Sequence, residues 1–335
     1  MTKTNPSNLK SELRQDPVSG DWIIIAPGRG GRPQTAHAVS TRKKTPKKLC
    51  PFEDPQKAGN KDPILTYPDR DKWQIQVLEN KYPAVIHSDT CGVPHKTGPF
   101  STLPANGHHD LIITKDHDKN FPKLSRAEAN QVIQVMRDRY LMLYKHPCLE
   151  YILAMHNWGP RAGASVYHPH YQMIALPVIP PDVNHSLKGS KRYYDEHKKC
   201  VHCEMIKWET KEGTRVIFEN DGAIAFAPFV SRSAFEIRIF PKKHQSYFEN
   251  VYDADIAAAV EALQFVLGKM EKRLNDPDYN FFIHTAPLQN KEQYEHYHWH
   301  IEIIPRLAIR ASFELGTGVE VNDVDPDQAA KLLRR

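Results

Sequence analysis

The sequence predicts an α+β fold built from two tandem histidine-triad-like halves, each an antiparallel sheet with a covering helix. Two observations lead there. The order of apolar segments repeats, and each half opens on a cysteine motif. The first half runs VLENKYPAVI (77–86), HHDLIITKDH (108–117), a helical stretch, YILAMHNWG (151–159) and YHPHYQMIALP (167–177). The second runs VIFENDGAIAFAP (216–228), SAFEIRIFPKKH (233–244), a helical stretch, YNFFIHTAP (279–287) and YHWHIEIIP (297–305). The motifs are CPFE at 50–53 and CVHC at 200–203. The chain therefore divides into a first half (1–180), a connection (181–199) and a second half (200–335).

The strand segments alternate and are rich in Ile, Val, Phe and Tyr. The first helix is announced by Ser125 and Glu128, an S-x-x-E capping box. Val132, Ile133, Met136, Tyr140 and Leu143 then recur at helical spacing to about His146. The second helix begins near Asp253 or Asp255. It carries Ile256, Val260, Leu263, Leu267, Met270 and Leu274 on one face and ends near Asn275, before Pro277. The polar stretch 178–199, with Pro180, Pro181 and Gly189, reads as a connection with no more than a helix turn or two. The tail has a glycine-bearing loop and a short helix after Pro326.

Composition narrows the function. Lys and Arg total 45 against 40 for Asp and Glu, a net +5. That is too mild for a nucleic-acid binder. The basic run 42–48 (RKKTPKK) reads as a solvated loop more readily than as a phosphate site. No stretch approaches 18 uncharged apolar residues, so no membrane span is expected. The first residues lack the apolar core of a signal peptide, which makes the cytoplasm the expected compartment. Five cysteines, an odd and sparse set, argue against a disulfide framework. Cys200 and Cys203 form a CxxC in charged surroundings, better read as a metal site than as a redox pair.

The chemistry concentrates in HPHYQ (168–172). On a strand, His168, His170 and Gln172 share one face. Two imidazoles and an amide in register, directly after the loop HNWGPRAGASVY (156–167), point to a functional face more than to a hydrogen-bonded core pair. The small residues Gly159, Ala162, Gly163 and Ala164 let backbone N–H groups approach a phosphate. Ser165 offers a hydroxyl and Arg161 a positive charge.

These segments carry a resemblance. R-x-D-P-x-x-G-x-W (14–22), APGRGGRP (26–33), CPF at Cys50, ENKYPA (79–84), KDH (115–117), HPHxQ (168–172) and HxH at His298 resemble the galactose-1-phosphate uridylyltransferase family, over residues 13–330. The resemblance implies a ping-pong nucleotidyltransferase. In it His170 attacks the α-phosphorus of UDP-glucose, releases glucose 1-phosphate, and passes uridylyl to galactose 1-phosphate. The partners implied are nucleotide-sugar and sugar-1-phosphate substrates. Gln172 would donate to the phosphoryl oxygens, Ser165 would hold the β-phosphate, and Asn157 and Gly163 would support that group. Asn80 falls where the nucleoside binds. Arg29 and Arg32 match arginines that reach phosphates across a homodimer interface. The implied cofactor is zinc, one or two ions per chain. Cys50, Glu53, His117 and His168 match the first site, with Glu53 in place of a cysteine. By the repeat, Cys200, Cys203, His244 and His298 form the second; a set of His284, His298, His300 and a glutamate is the alternative. In the second half Glu302 replaces the glutamine, which would repel a phosphate and leaves catalysis to the first half. Tyr171 and Lys81 depart from the family pattern near the nucleotide. They keep open an ADP-glucose phosphorylase or transferase using the same histidine; a nucleotide-conjugate hydrolase and a non-catalytic nucleotide binder remain as further readings.

Overall fold

The computed structural model describes residues 10–31 and 42–335. Ten strands form the spine of one sheet. The first half supplies β1 (Leu65–Tyr67), β2 (Ile75–Glu79), β3 (Asn106–Thr114), β4 (Tyr151–Trp158) and β5 (His170–Leu176). The second supplies β6 (Val216–Glu219), β7 (Ala223–Phe226), β8 (Ile237–Pro241), β9 (Tyr279–His284) and β10 (His300–Pro305). The order across the sheet is β6-β7-β8-β10-β9-β4-β5-β3-β2-β1. Every neighbouring pair on this path is antiparallel. A short strand, Ile86–His87, runs parallel beside β3. Counted inward from either edge, the order is first, second, third, fifth, fourth. The repeat is thus one of topology, and the halves meet where β4 pairs with β9, Asn157 facing Asn280.

Two long helices, α1 (Arg126–Leu143) and α4 (Asp253–Arg273), cover one face. The Glu128 N–H donates to Ser125 Oγ and the Ser125 N–H to the Glu128 carboxylate, closing the expected capping box. Such a cap is worth about 1 kcal/mol. Val132, Met136, Val260, Leu263 and Leu267 pack in one core with Ile112, Tyr171, Met173, Phe281 and Ile301. Because strand side chains alternate, burying Tyr171 and Met173 under the helices turns His170 and Gln172 to the opposite face.

The structure departs from the sequence reading in three places. The connection is a full helix, α2 (Pro181–His197), followed by α3 (Val201–Glu212). Its buried stripe is only Val183, Leu187, Gly189 and Ser190, too thin to register as periodicity. Gly189 is required, since a Cβ there would stand 1.7 Å from the Val18 carbonyl oxygen. Cys91 and Cys148 form a disulfide, with Cα atoms 5.1 Å apart and a sequence separation of 57. That spacing carries no pattern, and the odd count reflects free Cys50, Cys200 and Cys203. Finally, part of the basic run is a tether. Arg42 pairs with Asp278 at 3.2 Å and lies over the Trp158 ring. Among the described residues no helix is long and apolar enough to cross a membrane.

Candidate active site

At the head of β5, His170 is 6% exposed. Its Nδ1 lies 2.9 Å from the His168 carbonyl oxygen. A carbonyl only accepts, so Nδ1 carries the proton and Nε2 the free lone pair. The Phe52 ring packs edge-on against the imidazole, centroids 5.1 Å apart. Burial lowers the His170 pKa, which keeps the ring neutral at pH 7. A cavity of about 460 Å³ opens over it, lined by Phe52, Asn80, Lys81, Gly163, Ser165 and Gln172 among others.

The loop after β4 is shaped by glycine. Gly159 has φ +86°, and a Cβ there would lie 2.1 Å from Asp278 Oδ1. Asp278 in turn accepts from the Arg161 N–H at 2.8 Å. The N–H groups of Ala162, Gly163 and Ala164 donate to the Gly159 and Pro160 carbonyls. These amides are therefore spent inside the loop, contrary to the sequence reading of a backbone phosphate cradle. Ser165, whose N–H and hydroxyl make no described hydrogen bond, carries the polar groups still open. Asn157 Oδ1 accepts from Asn280 Nδ2 at 2.7 Å, and Asn280 also donates to the Ala162 carbonyl at 2.8 Å. Asn280 escaped the sequence reading because its role depends on the β4–β9 junction. His109, also missed, is 6% exposed and lies 2.9 Å from Gln172 Oε1 and 3.1 Å from Asn80 Nδ2. Its signal was available, since His109 and Leu111 alternate onto the same face of β3. Arg29 is exposed on the 3-10 turn Pro27–Gly31 and does not line the His170 cavity. Arg32 lies outside the described residues.

Beside β5, the ligand atoms of Cys50, His117 and His168 fall within 4.8 Å of one another, and Glu53 stands against His117. His117 Nε2 donates to the Thr45 carbonyl at 2.8 Å, and His168 Nε2 to the Thr114 carbonyl at 2.7 Å. Both Nδ1 atoms are left as lone-pair donors facing one point. His168 Nδ1 is 3.5 Å from Cys50 Sγ, and His117 Nδ1 is 2.9 Å from Glu53 Oε1. Glu53 Oε1 and His117 Nδ1 are buried without a hydrogen-bond partner. Two lone pairs at that distance need a cation between them, and Cys, Glu and two His suit zinc. Burial lowers the His168 pKa to about 4, leaving it free to ligate. The backbone carbonyls are the outer contacts that fix a ligating tautomer.

A second set matches the repeat. Cys200 caps α3 and Cys203 sits in its first turn. Cys203 Sγ lies 3.3 Å from His244 Nδ1 and 3.5 Å from His298 Nδ1. Ligand atoms of all four residues fall within 4.8 Å of one another. His244 Nε2 donates to the Glu295 carbonyl, repeating the His117 arrangement. The alternative set is divided: His284 and His300 gather with Glu302 instead of His298. Glu302 meets His284 at 3.3 Å and Arg238 at 3.7 Å. Burial works to raise its pKa, but Arg238 and His284 outweigh that and draw it to about 2. A further group, Asp89, His108 and His146, is poorly suited to a metal. The Cys148 N–H donates to His146 Nδ1, which puts the proton on Nε2, the atom facing the group.

With this geometry in view, the comparisons are informative. A family model described as "Galactose-1-phosphate uridyl transferase, N-terminal domain" matches residues 2–180. A domain of unknown function matches residues 100–334. The chain is 36% identical to an ADP-glucose phosphorylase of Arabidopsis thaliana, over 98% of this chain and 93% of that one. It is 27% identical to a galactose-1-phosphate uridylyltransferase of Thermotoga maritima, over 96% and 98%. Among solved structures, an Arabidopsis thaliana ADP-glucose phosphorylase with bound ADP-glucose superposes with a TM-score of 0.83 at 32% identity, covering 97% of this chain and 99% of that one.

Proposed function

The chain belongs to the galactose-1-phosphate uridyl transferase family, and from that premise we propose that it transfers a nucleotidyl group from a nucleotide sugar through His170, with ADP-glucose as donor and inorganic phosphate as acceptor. The observation that carries the mechanism is the His170 lock: Nδ1–H on the His168 carbonyl, Nε2 free at the cavity. The bond from Nε2 to the α-phosphorus forms as the bond to the leaving glucose 1-phosphate oxygen breaks. Phosphate then attacks the phosphoramidate and leaves as the nucleoside diphosphate. Imidazole serves as nucleophile because it is neutral here and as leaving group because it is a weak base. Gln172 would donate to the phosphoryl oxygens and Ser165 to the β-phosphate, while Asn157 and Gly163 hold the loop. Asn80 would meet the nucleoside, and Arg29 and Arg32 would act from a second copy in a homodimer. Zinc would be held by Cys50, Glu53, His117 and His168, and by Cys200, Cys203, His244 and His298. There it would supply rigidity, tying loops to the sheet behind the strand of His170.

The preference for ADP-glucose over the UDP-glucose and galactose 1-phosphate pair rests on the greater identity to the phosphorylase, 36% against 27%. Of the two departures from the family pattern, Lys81 lines the His170 cavity, whereas Tyr171 is buried under the helices on the opposite face and has no bearing on the donor. The test mixes protein with ADP-glucose or UDP-glucose and no acceptor, then reads intact mass and released glucose 1-phosphate. A stoichiometric adenylyl adduct, lost in His170→Ala and discharged by phosphate, is the expected result. An adduct formed only from UDP-glucose and discharged by galactose 1-phosphate would move the specificity. No adduct from either would end the covalent mechanism.

A further inference from the structure

We infer that His109 is a positioning residue for this transfer: it holds the Gln172 side chain with its N–H groups toward the phosphoryl site. The inference rests on the reading of His170 as nucleophile. Its starting point is a backbone amide. The Ala84 N–H donates to His109 Nδ1 at 3.0 Å. A main-chain hydrogen cannot be reassigned to another atom, so Nδ1 holds the lone pair and the single ring proton is on Nε2.

That proton needs an acceptor. Two side-chain amides stand within reach of Nε2, Gln172 at 2.9 Å and Asn80 at 3.1 Å. Asn80 brings its Nδ2, because its Oδ1 is turned away to accept the Tyr82 N–H at 2.9 Å. Gln172 Oε1 is therefore the acceptor for the ring. The Gln172 amide nitrogen then faces the cavity it shares with His170 and Ser165, and it has no described hydrogen bond.

An amide has no preference of its own for one flip state, since its two ends have nearly the same shape. With the flip reversed, a carbonyl oxygen would face the phosphoryl oxygens. The ring is anchored by the Ala84 N–H on Nδ1, and the main chain beneath it by the Asn80 N–H, which donates to the His109 carbonyl at 2.8 Å. Ala84 and Asn80 both belong to the ENKYPA segment (79–84). The segment at the nucleoside end of the cavity thereby sets the orientation of the group at the phosphoryl end, through one imidazole.

The experiment is a double-mutant comparison read as the single-turnover rate of adduct formation. His109→Leu should slow it by about tenfold or more at saturating donor, the scale of a lost transition-state donor. The KM should stay within about threefold. His109→Gln, whose terminal N–H₂ reaches as far as imidazole Nε2, should recover most of the rate. In a Gln172→Ala background, His109→Leu should cost almost nothing more, because its effect passes through Gln172. Equal losses in both backgrounds would mean a packing role and overturn the inference. His109→Asn, polar but too short to reach Gln172, makes the same comparison should the leucine variant not fold. An adduct absent even from the wild type sinks the reading of His170. An adduct formed equally fast by wild type and His109→Leu sinks only the role of His109.

Discussion

Gln172→Glu is the most discriminating single change, because the second half already carries a glutamate at the matching position. The introduced carboxylate can keep one oxygen on His109, as Gln172 Oε1 does now at 2.9 Å. Its other oxygen then replaces an N–H donor at the cavity. Loss of the donor alone, as in Gln172→Ala, should cost about a hundredfold in the rate of adduct formation. The added charge costs more: two unit charges about 4 Å apart in a partly buried site repel by roughly 4 kcal/mol, about a thousandfold. A pH series separates the two terms. Burial beside a bound anion raises the introduced carboxyl pKa, so lowering the pH protonates it and gives back an O–H donor. The variant should approach wild type as the pH falls from 8 to 5. The wild type holds its rate over most of that range, because burial lowers the His170 pKa. Single-turnover adduct formation followed by intact mass measures both. A Gln172→Glu rate within about threefold of wild type at pH 8, or a deficit unchanged by pH, would refute the placement of this amide against the phosphoryl group.

Other expectations follow from the same geometry. Arg238 lies 3.0 Å from Glu236, 3.7 Å from Glu302 and 3.8 Å from Asp16, all buried. Arg238→Met should cost about 3–5 kcal/mol at pH 8 by urea unfolding. The stranded carboxyls would titrate above their unfolded values, so the deficit should shrink toward pH 5. Glu53→Cys should tighten zinc binding at the first site and Glu53→Ala should weaken it by roughly 10–100-fold, read by chelator competition; equal affinities would remove Glu53 from the ligand set. Gly159→Ala meets both the cost of a conformation essentially reserved for glycine, φ +86° and ψ +162°, about 1–3 kcal/mol, and Asp278. It should lower Tm and slow transfer together, through displacement of Ser165.

Much of this was legible before any coordinates. The first long helix was marked by its capping box and the second, whose N-cap Tyr252 makes no side-chain cap bond, by apolar spacing; segment order marked the two-half sheet. The residues that gather as candidate metal sets were legible in the sequence, the first through the family resemblance and the second through the repeat. What escaped had physical reasons. β1, Leu65–Tyr67, is three residues long and flanked by polar turns, below the length at which alternation registers. The α2 helix hides because a glycine packed on Val18 stands where a large apolar residue would advertise it. Asn280 acts across the junction of the halves; the face of His109 was open to the alternation of β3, but its bond to Gln172 depends on a tautomer set by a remote backbone amide. Neither relation has a spacing in the sequence.

The repeat also explains why only the first half fits the proposed phosphoryl site. The tautomer lock is present twice: His300 Nδ1 lies 3.1 Å from the His298 carbonyl as His170 Nδ1 lies 2.9 Å from that of His168. A free Nε2 is therefore not what separates the halves. The difference lies in the partners. Gln172 pairs in register with the apolar Leu111 and is held through its oxygen by His109, which leaves its N–H₂ open to serve a ligand. Glu302 pairs in register with Arg238, and His284, opposite His300 in register, bonds the same carboxylate. The carboxylate that stands in place of the amide is thus engaged by a guanidinium and an imidazole, and it offers an anion no N–H donor. The same β10 strand still begins beside His298, whose Nδ1 faces Cys203. The residues that could clip a metal thus recur in both halves, while the amide whose N–H₂ is open stands only in the first.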